Sequence, residues 1–393
     1  MKLQRGFSLI ELMVSMGIVV TVVAIATGTL MQAEHATTAV AYMANTQENL
    51  RAGMHFMVRD LMQAGEGIPQ GGVSLPYSGA TSAINRPGTA TIFPNYYTTL
   101  PPITPGWKAG QFATSLNPAS GATLTGVQTD IINIIYADNI LQDTAGHYLY
   151  SYPVVQASPA TPVCAGTINA SGASVALAPA CFIMPGATNP ITTGNLIMFH
   201  NQNGTALEYV TSVAGQTINF SAGDPAGLNQ TGNTFGTVAN LATSPGVFPP
   251  TIITRVWMVT YYVDATNVQD PQLIRQVNYP NYPAGAPVNP PTAIADDIEN
   301  LAFSYAITSS TDPAGTYGTN QFTNGSGNAA TPILPDTPAQ IRAVNVFVAG
   351  RSEQTYTALS TPQYLRNNLS TQVSIRSLSF TDAFTTAASA LTP

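Results

Sequence analysis

The chain opens with MKLQRGFSLIELMVSMGIVV, residues 1–20, in which a short basic segment ending at Gly6 is followed by a long apolar run. The run extends from Phe7 to about Met31, and Glu11 is its only ionisable residue. At about 1.5 Å per residue, a helix of this length can cross a bilayer core of roughly 30 Å. A carboxylate within such a helix costs roughly 2.5–3.5 kcal/mol on insertion scales, so we expect Glu11 to serve a function.

The residues that flank the apolar run predict its orientation. Lys2 and Arg5 precede it, and the positive-inside rule therefore predicts a cytoplasmic N-terminus, with everything after Met31 exported. An ordinary secretory signal is the alternative, because Ala24-Ile25-Ala26 offers a cleavage site of the A-x-A type. An acidic residue early in the apolar run disfavours this alternative, and so does the continuation of the run past that site.

Helical periodicity continues beyond the apolar run. Residues that alternate at spacings of four and three mark one helix face: Ala36, Val40, Met43, Gln47, Leu50, Met54, Met57 and Leu61. The first proline is Pro69, and Gly65 and Gly67 are plausible stop signals. The pattern predicts one helix from Phe7 to about Ala64, whose second half packs on a globular domain.

From residue 67 the composition changes to Gly, Pro, Thr, Ser, Asn and Ala, and only 8% of the whole chain is charged. Short runs with alternating apolar residues, bounded by Pro, Gly and Asn, predict antiparallel strands with one buried face. The main ones are Asp130–Tyr136, Leu196–His200, Leu207–Val213, Thr217–Phe220, Thr254–Val263, Gln272–Val277, Ile298–Ile307, Ile341–Gly350 and Ser370–Phe380. The sequence therefore predicts an α+β protein with long loops. A division into two lobes near 240–252 is a further possibility.

The N-terminal residues resemble the class III signal of type IV pilins and type II secretion pseudopilins. Lys2-Leu-Gln-Arg-Gly6, followed by Phe7-Ser-Leu-Ile-Glu11-Leu, carries the glycine, the aromatic residue and the glutamate of that signal. The resemblance implies that a prepilin peptidase cuts between Gly6 and Phe7 and N-methylates Phe7. It also implies that Glu11 pairs with the N-terminal amine of a neighbouring subunit, which would neutralise a charge that is costly in lipid.

A narrower resemblance, to PilW-like minor pilins, rests on the order of several fragments. These are RDLMQAGEG, DIINIIYADN, RVWMVTYYVD with QLIRQVN, DDIENLAFSYAI, and IRAVNVFVAGR with LSTQVSIRSL. The family role is to help nucleate the pilus and to sit at or near its tip with other minor pilins. The chain departs from a minimal initiator in its length and its Pro/Thr/Asn-rich loops.

These resemblances imply a pilin-like architecture with four segments. Residues 1–6 form the leader, residues 7–31 the transmembrane and filament-core half of the helix, residues 32–66 its amphipathic half, and residues 67–393 an extracytoplasmic β-rich domain. The implied location is the inner membrane before assembly, and then the pilus and cell surface. The implied partners are the prepilin peptidase, other minor and major pilins, the inner-membrane assembly platform and membrane lipid.

No pattern of catalytic residues is present in the sequence, and we expect a non-enzymatic subunit without a cofactor. The alternatives are a J-type minor pseudopilin of type II secretion and a surface adhesin that uses a pilin-type anchor. A net charge of −7 with twelve Lys and Arg residues argues against nucleic acid as a partner.

Two smaller features bear on the exported domain. Cys164 and Cys181 would form a disulfide in an oxidising compartment, although two separate buried thiols are the alternative. The acidic cluster of Asp296, Asp297 and Glu299 could bind calcium but lacks the ligand spacing of a calcium loop, and is more typical of a solvated turn.

Overall fold

The computed structural model describes residues 8–69, 71–76, 84–87, 93, 99–111, 115–116, 123–124, 128–138, 152–155, 166–177, 191–230, 235–279, 289–308, 317–320, 338–357 and 362–378. In these residues a long N-terminal helix is followed by a domain of antiparallel strands. The predicted α+β class is confirmed.

Helix α1 spans Leu9–Gln63 and has 55 residues, which gives it a length of about 80 Å. Its C-terminal half is amphipathic, and Leu50, Met54, Met57 and Leu61 are buried in the largest apolar core. Gly53 lets the helix approach the sheet, because a Cβ atom there would lie 2.7 Å from Leu273 Cδ2. Burial of one helical face, more than intrinsic propensity, therefore holds this half in place.

The largest sheet has eight strands and is centred on one long strand. Strand β14 (Thr251–Asp264) lies between β10 and β7 along its first part and between β6 and β15 along its second part. The strands that complete the sheet are β3 (Ile103–Gly106), β6 (Ile131–Ala137), β7 (Tyr152–Val155), β10 (Leu196–Asn201), β11 (Gly204–Tyr209), β15 (Gln272–Val277) and β16 (Thr292–Ala295). Strands from both sides of residues 240–252 thus share one sheet, and the division into two lobes stays a prediction.

A second sheet has four strands, in the order β18, β17, β19, β20. These are β17 (Ile298–Thr308), β18 (Tyr317–Asn320), β19 (Ile341–Tyr356) and β20 (Gln363–Ser374). Helix α1 packs against β19 and β20, and it also contacts β16 and β6 of the first sheet. The helix therefore joins the two sheets.

Smaller sheets complete the described part of the domain. One has the order β12, β13, β9, β8 and covers a separate apolar core that includes Val175, Phe199 and Ile218. Two others are pairs of short strands, β1 with β2 and β4 with β5. The strands are β1 (Val73–Ser74), β2 (Thr99–Leu100), β4 (Ser115–Leu116), β5 (Thr123–Leu124), β8 (Gly166–Ile168), β9 (Ser174–Leu177), β12 (Ser212–Ala214) and β13 (Thr217–Asn219), with short 3-10 helices at Val238–Leu241 and Pro338–Gln340.

Two of the predicted strands at the C-terminal end have different bounds. The strand predicted to end at Gly350 continues to Tyr356, because residues 351–356 pair with β20 and lie along α1. The strand predicted as Ser370–Phe380 is observed at Gln363–Ser374. Polar residues dominate the early part of that strand, so its alternation could not be seen in the sequence.

A buried ionic cluster fixes the C-terminal end of α1 to the first sheet. The carboxylate of Asp60, which is only 1% exposed, accepts hydrogen bonds from Tyr261 Oη at 2.6 Å and from Arg275 Nε at 2.7 Å. Burial raises the pKa of Tyr261, and the Asp60 carboxylate raises it further. The tyrosine therefore remains a hydrogen-bond donor over the physiological range of pH.

We predict that Asp60→Ala destabilises the domain by about 3–5 kcal/mol, because it leaves the Arg275 guanidinium half-buried and unpaired. Arg59→Ala is the matched control. Arg59 contacts the same carboxylate at 3.4 Å, but its side chain is 49% exposed, so the expected loss is about 0–1 kcal/mol. Urea unfolding in detergent measures both values. Equal losses in the two variants would contradict the assignment.

Candidate assembly and anchoring surface

The N-terminal half of α1 carries the chain's largest exposed apolar surface among the described residues. Its large apolar side chains from Leu9 to Met31 are each more than half exposed. An 18-residue window of the helix is long and apolar enough to cross a membrane, and none of that window is buried. Exposed apolar surface of this extent marks a site of contact with lipid or with protein.

The start of α1 is a capping box formed by Ser8 and Glu11. Ser8 Oγ accepts a hydrogen bond from the Ile10 N–H at 3.2 Å, and Glu11 Oε2 accepts one from the Ser8 N–H at 3.2 Å. Two N–H groups at the helix terminus are thereby satisfied, and a negative charge lies where the helix dipole favours it. The pattern Ser-x-x-Glu at residues 8–11 is local, so this cap could have been predicted from the sequence.

The structure shows one role of Glu11 and leaves its carboxylate accessible. The carboxylate stabilises the first turn of its own helix, and it is also exposed beside an apolar surface. The processing residues Gly6 and Phe7, next to this turn, lie outside the described residues. The predicted pairing of Glu11 with a neighbouring subunit's amine stays a prediction.

The helix face predicted from the four-three spacing is only half buried. Ala36, Val40, Met43 and Gln47 are exposed, with Val40 68% and Met43 47% exposed, so the prediction for them is wrong. In this part of the helix the domain-facing side is shifted by one residue. Thr46 is buried, and Tyr42 Oη is 3.1 Å from Gln354 Oε1 on β19. Val40 and Met43 therefore extend the exposed apolar surface beyond Met31.

The acidic cluster at the start of β17 is mostly neutralised within the protein. The buried Arg351 lies 3.5 Å from the Asp297 carboxylate and 3.6 Å from that of Glu299, and Arg366 lies 2.7 Å from Glu299. The pKa of Asp297 is raised, because the effect of burial outweighs the opposing effect of the Arg351 charge. Two of the three carboxylates thus serve ion pairs that join β17 to β19 and β20.

Two other features considered from the sequence, the disulfide and a metal site, are not part of this surface. Cys164 and Cys181 lie outside the described residues, and their disulfide stays a prediction. Across the described ranges, no group of three or more His, Cys, Asp or Glu side chains is arranged to hold a metal ion.

A comparison with known protein families finds a match at the N-terminus of the chain. Residues 1–27 match the model of the prokaryotic N-terminal methylation motif. No curated protein matches the chain, and no solved structure does. The motif covers the leader and most of the exposed apolar run, and it supports a pilin-type or pseudopilin-type protein that is processed by a prepilin peptidase. The exposed apolar helix fits an anchor in the membrane.

Proposed function

We propose that the chain is a non-enzymatic minor pilin of a type IV pilus, cleaved between Gly6 and Phe7 and N-methylated at Phe7. It helps to initiate pilus assembly and sits at or near the filament tip. Before assembly it spans the inner membrane once, with a cytoplasmic N-terminus and an exported domain formed by residues 67–393.

One observation carries this proposal. A single continuous helix has an N-terminal half that is apolar and exposed under the methylation motif, and a C-terminal part, from Leu50 to Leu61, with one face buried in the core of the domain. An anchor alone would not need the helix to continue past the apolar run and to end in the core of the domain. In a filament subunit, the exposed apolar part of the same helix packs against neighbouring subunits, and the buried part holds the domain outside that contact.

The proposed role as a PilW-like minor pilin rests on the order of the fragments in which the sequence resembles PilW-like minor pilins. Several of these fragments fall on α1, β6, β14, β15, β17, β19 and β20, which line the largest core and its two sheets. The partners are then the prepilin peptidase, other minor and major pilins, the assembly platform and membrane lipid.

Two alternatives share much of this support. A J-type minor pseudopilin of type II secretion would have the same leader, helix and β-rich domain, and the neighbouring genes would distinguish the two. A surface adhesin with a pilin-type anchor would keep the leader but would not need Glu11 for assembly.

The first prediction concerns processing. The mature protein begins at N-methylated Phe7, and Gly6→Leu leaves the precursor uncut because a bulky side chain replaces the glycine of the motif. Gly28→Leu is the control. A Cβ atom at Gly28 meets nothing within 4 Å, so cleavage should proceed normally. N-terminal sequencing and intact mass measure the outcome. A mature terminus at Thr27 would instead indicate an ordinary signal peptide.

The second prediction separates the two roles of Glu11. Glu11→Gln retains an oxygen acceptor for the Ser8 N–H but removes the charge, whereas Ser8→Ala removes a cap and retains the charge. If Glu11 compensates a neighbour's positively charged amine in a low-dielectric core, losing the charge costs on the order of several kcal/mol. Losing the cap costs about 1 kcal/mol.

We therefore expect Glu11→Gln to reduce the number of pili per cell and the co-purification of other minor pilins, with Ser8→Ala close to wild type. Cleavage and membrane insertion, checked by immunoblot, should survive in both variants. Normal piliation in Glu11→Gln would favour the anchored adhesin. Equal defects in the two variants would show that helix capping is what matters.

A further inference from the structure

Strand β19 runs beside α1 toward the membrane segment, as three contacts show. A side chain added at Gly350 would meet Leu50, Gln354 Oε1 lies 3.1 Å from Tyr42 Oη, and the ring of Tyr356 lies 6.4 Å from the ring of His35. Residue numbers rise along the strand as they fall along the helix. The strand is therefore antiparallel to the helix, and its end is the part of the described domain nearest the apolar run.

The lengths of the two elements agree with this path. From Leu50 to His35 the helix has fifteen residues, or about 22 Å. From Gly350 to Tyr356 the strand has six residues, or about 20 Å. The strand therefore follows the helix axis closely and does not cross it at a steep angle.

The last contact lies at the membrane boundary. His35 follows Met31, the last residue of the apolar run, by four residues, or about 6 Å of helix. The headgroup layer on each side of a bilayer is about 5–7 Å thick. If the apolar run fills the hydrocarbon core, His35 and Tyr356 lie at the outer boundary of the headgroup layer.

The side chains at this level suit lipid headgroups. Tyr356 is half-buried against the helix, Thr357 is exposed, and tyrosine is enriched at membrane interfaces because its ring is apolar and its hydroxyl is polar. No Lys or Arg occurs at residues 6–50 or 352–363. Attraction to anionic lipid therefore contributes nothing here. Since the exposed carboxylates of Glu34 and Glu353 lie near these residues, anionic lipid should not strengthen the contact.

We propose that residues 355–357, at the end of β19, contact the headgroup layer of the bilayer through Tyr356 and hold the exported domain at a fixed height and orientation before assembly. This inference rests on the proposed function, since it requires α1 to span the membrane. The occupant is lipid, because the contact is continuous with the membrane segment and lies on the domain's membrane-proximal end. Entry into the filament would break this contact.

The experiment places the photo-reactive residue p-benzoyl-phenylalanine at single positions in the full chain, reconstituted in phosphatidylcholine vesicles. Tyr356 is the test position. Val19, 59% exposed in the apolar run, reports on the anchor itself. Phe235 is the distal aromatic control. It is 49% exposed and precedes Gly236, which lies against Leu75, a residue beyond the C-terminal end of α1. Mass spectrometry after illumination detects lipid adducts.

We expect lipid adducts at positions 19 and 356 and at least about tenfold fewer at position 235, with no increase in yield at position 356 when phosphatidylglycerol is added. Adducts at position 19 without adducts at position 356 would overturn the interfacial contact and leave the membrane anchor intact. Adducts at position 356 to another protein chain would equally overturn it. The absence of adducts at position 19 would overturn the anchor, and the inference with it.

Discussion

The hydrogen-bonded contact of Asp60 with Tyr261 and Arg275 is the constraint on which the arrangement of the molecule depends. The carboxylate lies at the end of a helix of 55 residues, and its partners lie on the two strands β14 and β15 of the central sheet. Buried ionic contacts of this type contribute little net stability but strongly penalise other arrangements. The contact therefore sets the rotation of the helix about its axis, and with it the face that the helix presents to the domain.

Along its length the helix lies in two environments. The large apolar side chains from Leu9 to Met31 are not buried by any described part of the chain. Those from Leu50 to Leu61 on the domain-facing side form part of the core. Between these parts, the contacts of Tyr42 with Gln354 and of His35 with Tyr356 join the helix to β19. The largest apolar core includes no helix residue before Leu50. Separation of the domain from residues 32–49 of the helix would therefore expose little apolar surface.

Much of the fold followed from periodicity. The spacing of Leu50, Met54, Met57 and Leu61 identified the packed half of the helix, and Gln272–Val277 has the bounds that its alternation predicted. Asp60 does not belong to this apolar face, and nothing in its spacing indicates that it is buried. Its partners lie about 200 residues further along the chain, and no local pattern indicates a contact over that separation.

The exposed residues of the predicted helix face show a second limit of prediction from the sequence. Val40 and Met43 are apolar at helical spacing, yet periodicity does not distinguish a face that packs on the chain's own domain from one that is kept for lipid or another subunit. Similarly, residues 351–356 contain no apolar run, and their strand exists because β20 and the helix flank it. The capping box of Ser8 and Glu11 is different, since its pattern is local and visible in the sequence.

We expect the N-terminal part of α1 to contribute nothing to the fold of the domain, because its large apolar side chains from Leu9 to Met31 are exposed. The decisive measurement is thermal unfolding of a chain that begins at Ala33, compared with the full chain in the same mild detergent. The shortened protein should stay soluble without detergent, with the same β-rich circular dichroism and a midpoint within about 2 °C of the full chain, a shift that corresponds to less than about 1 kcal/mol. An insoluble product, or a midpoint lower by 10 °C or more, would contradict it.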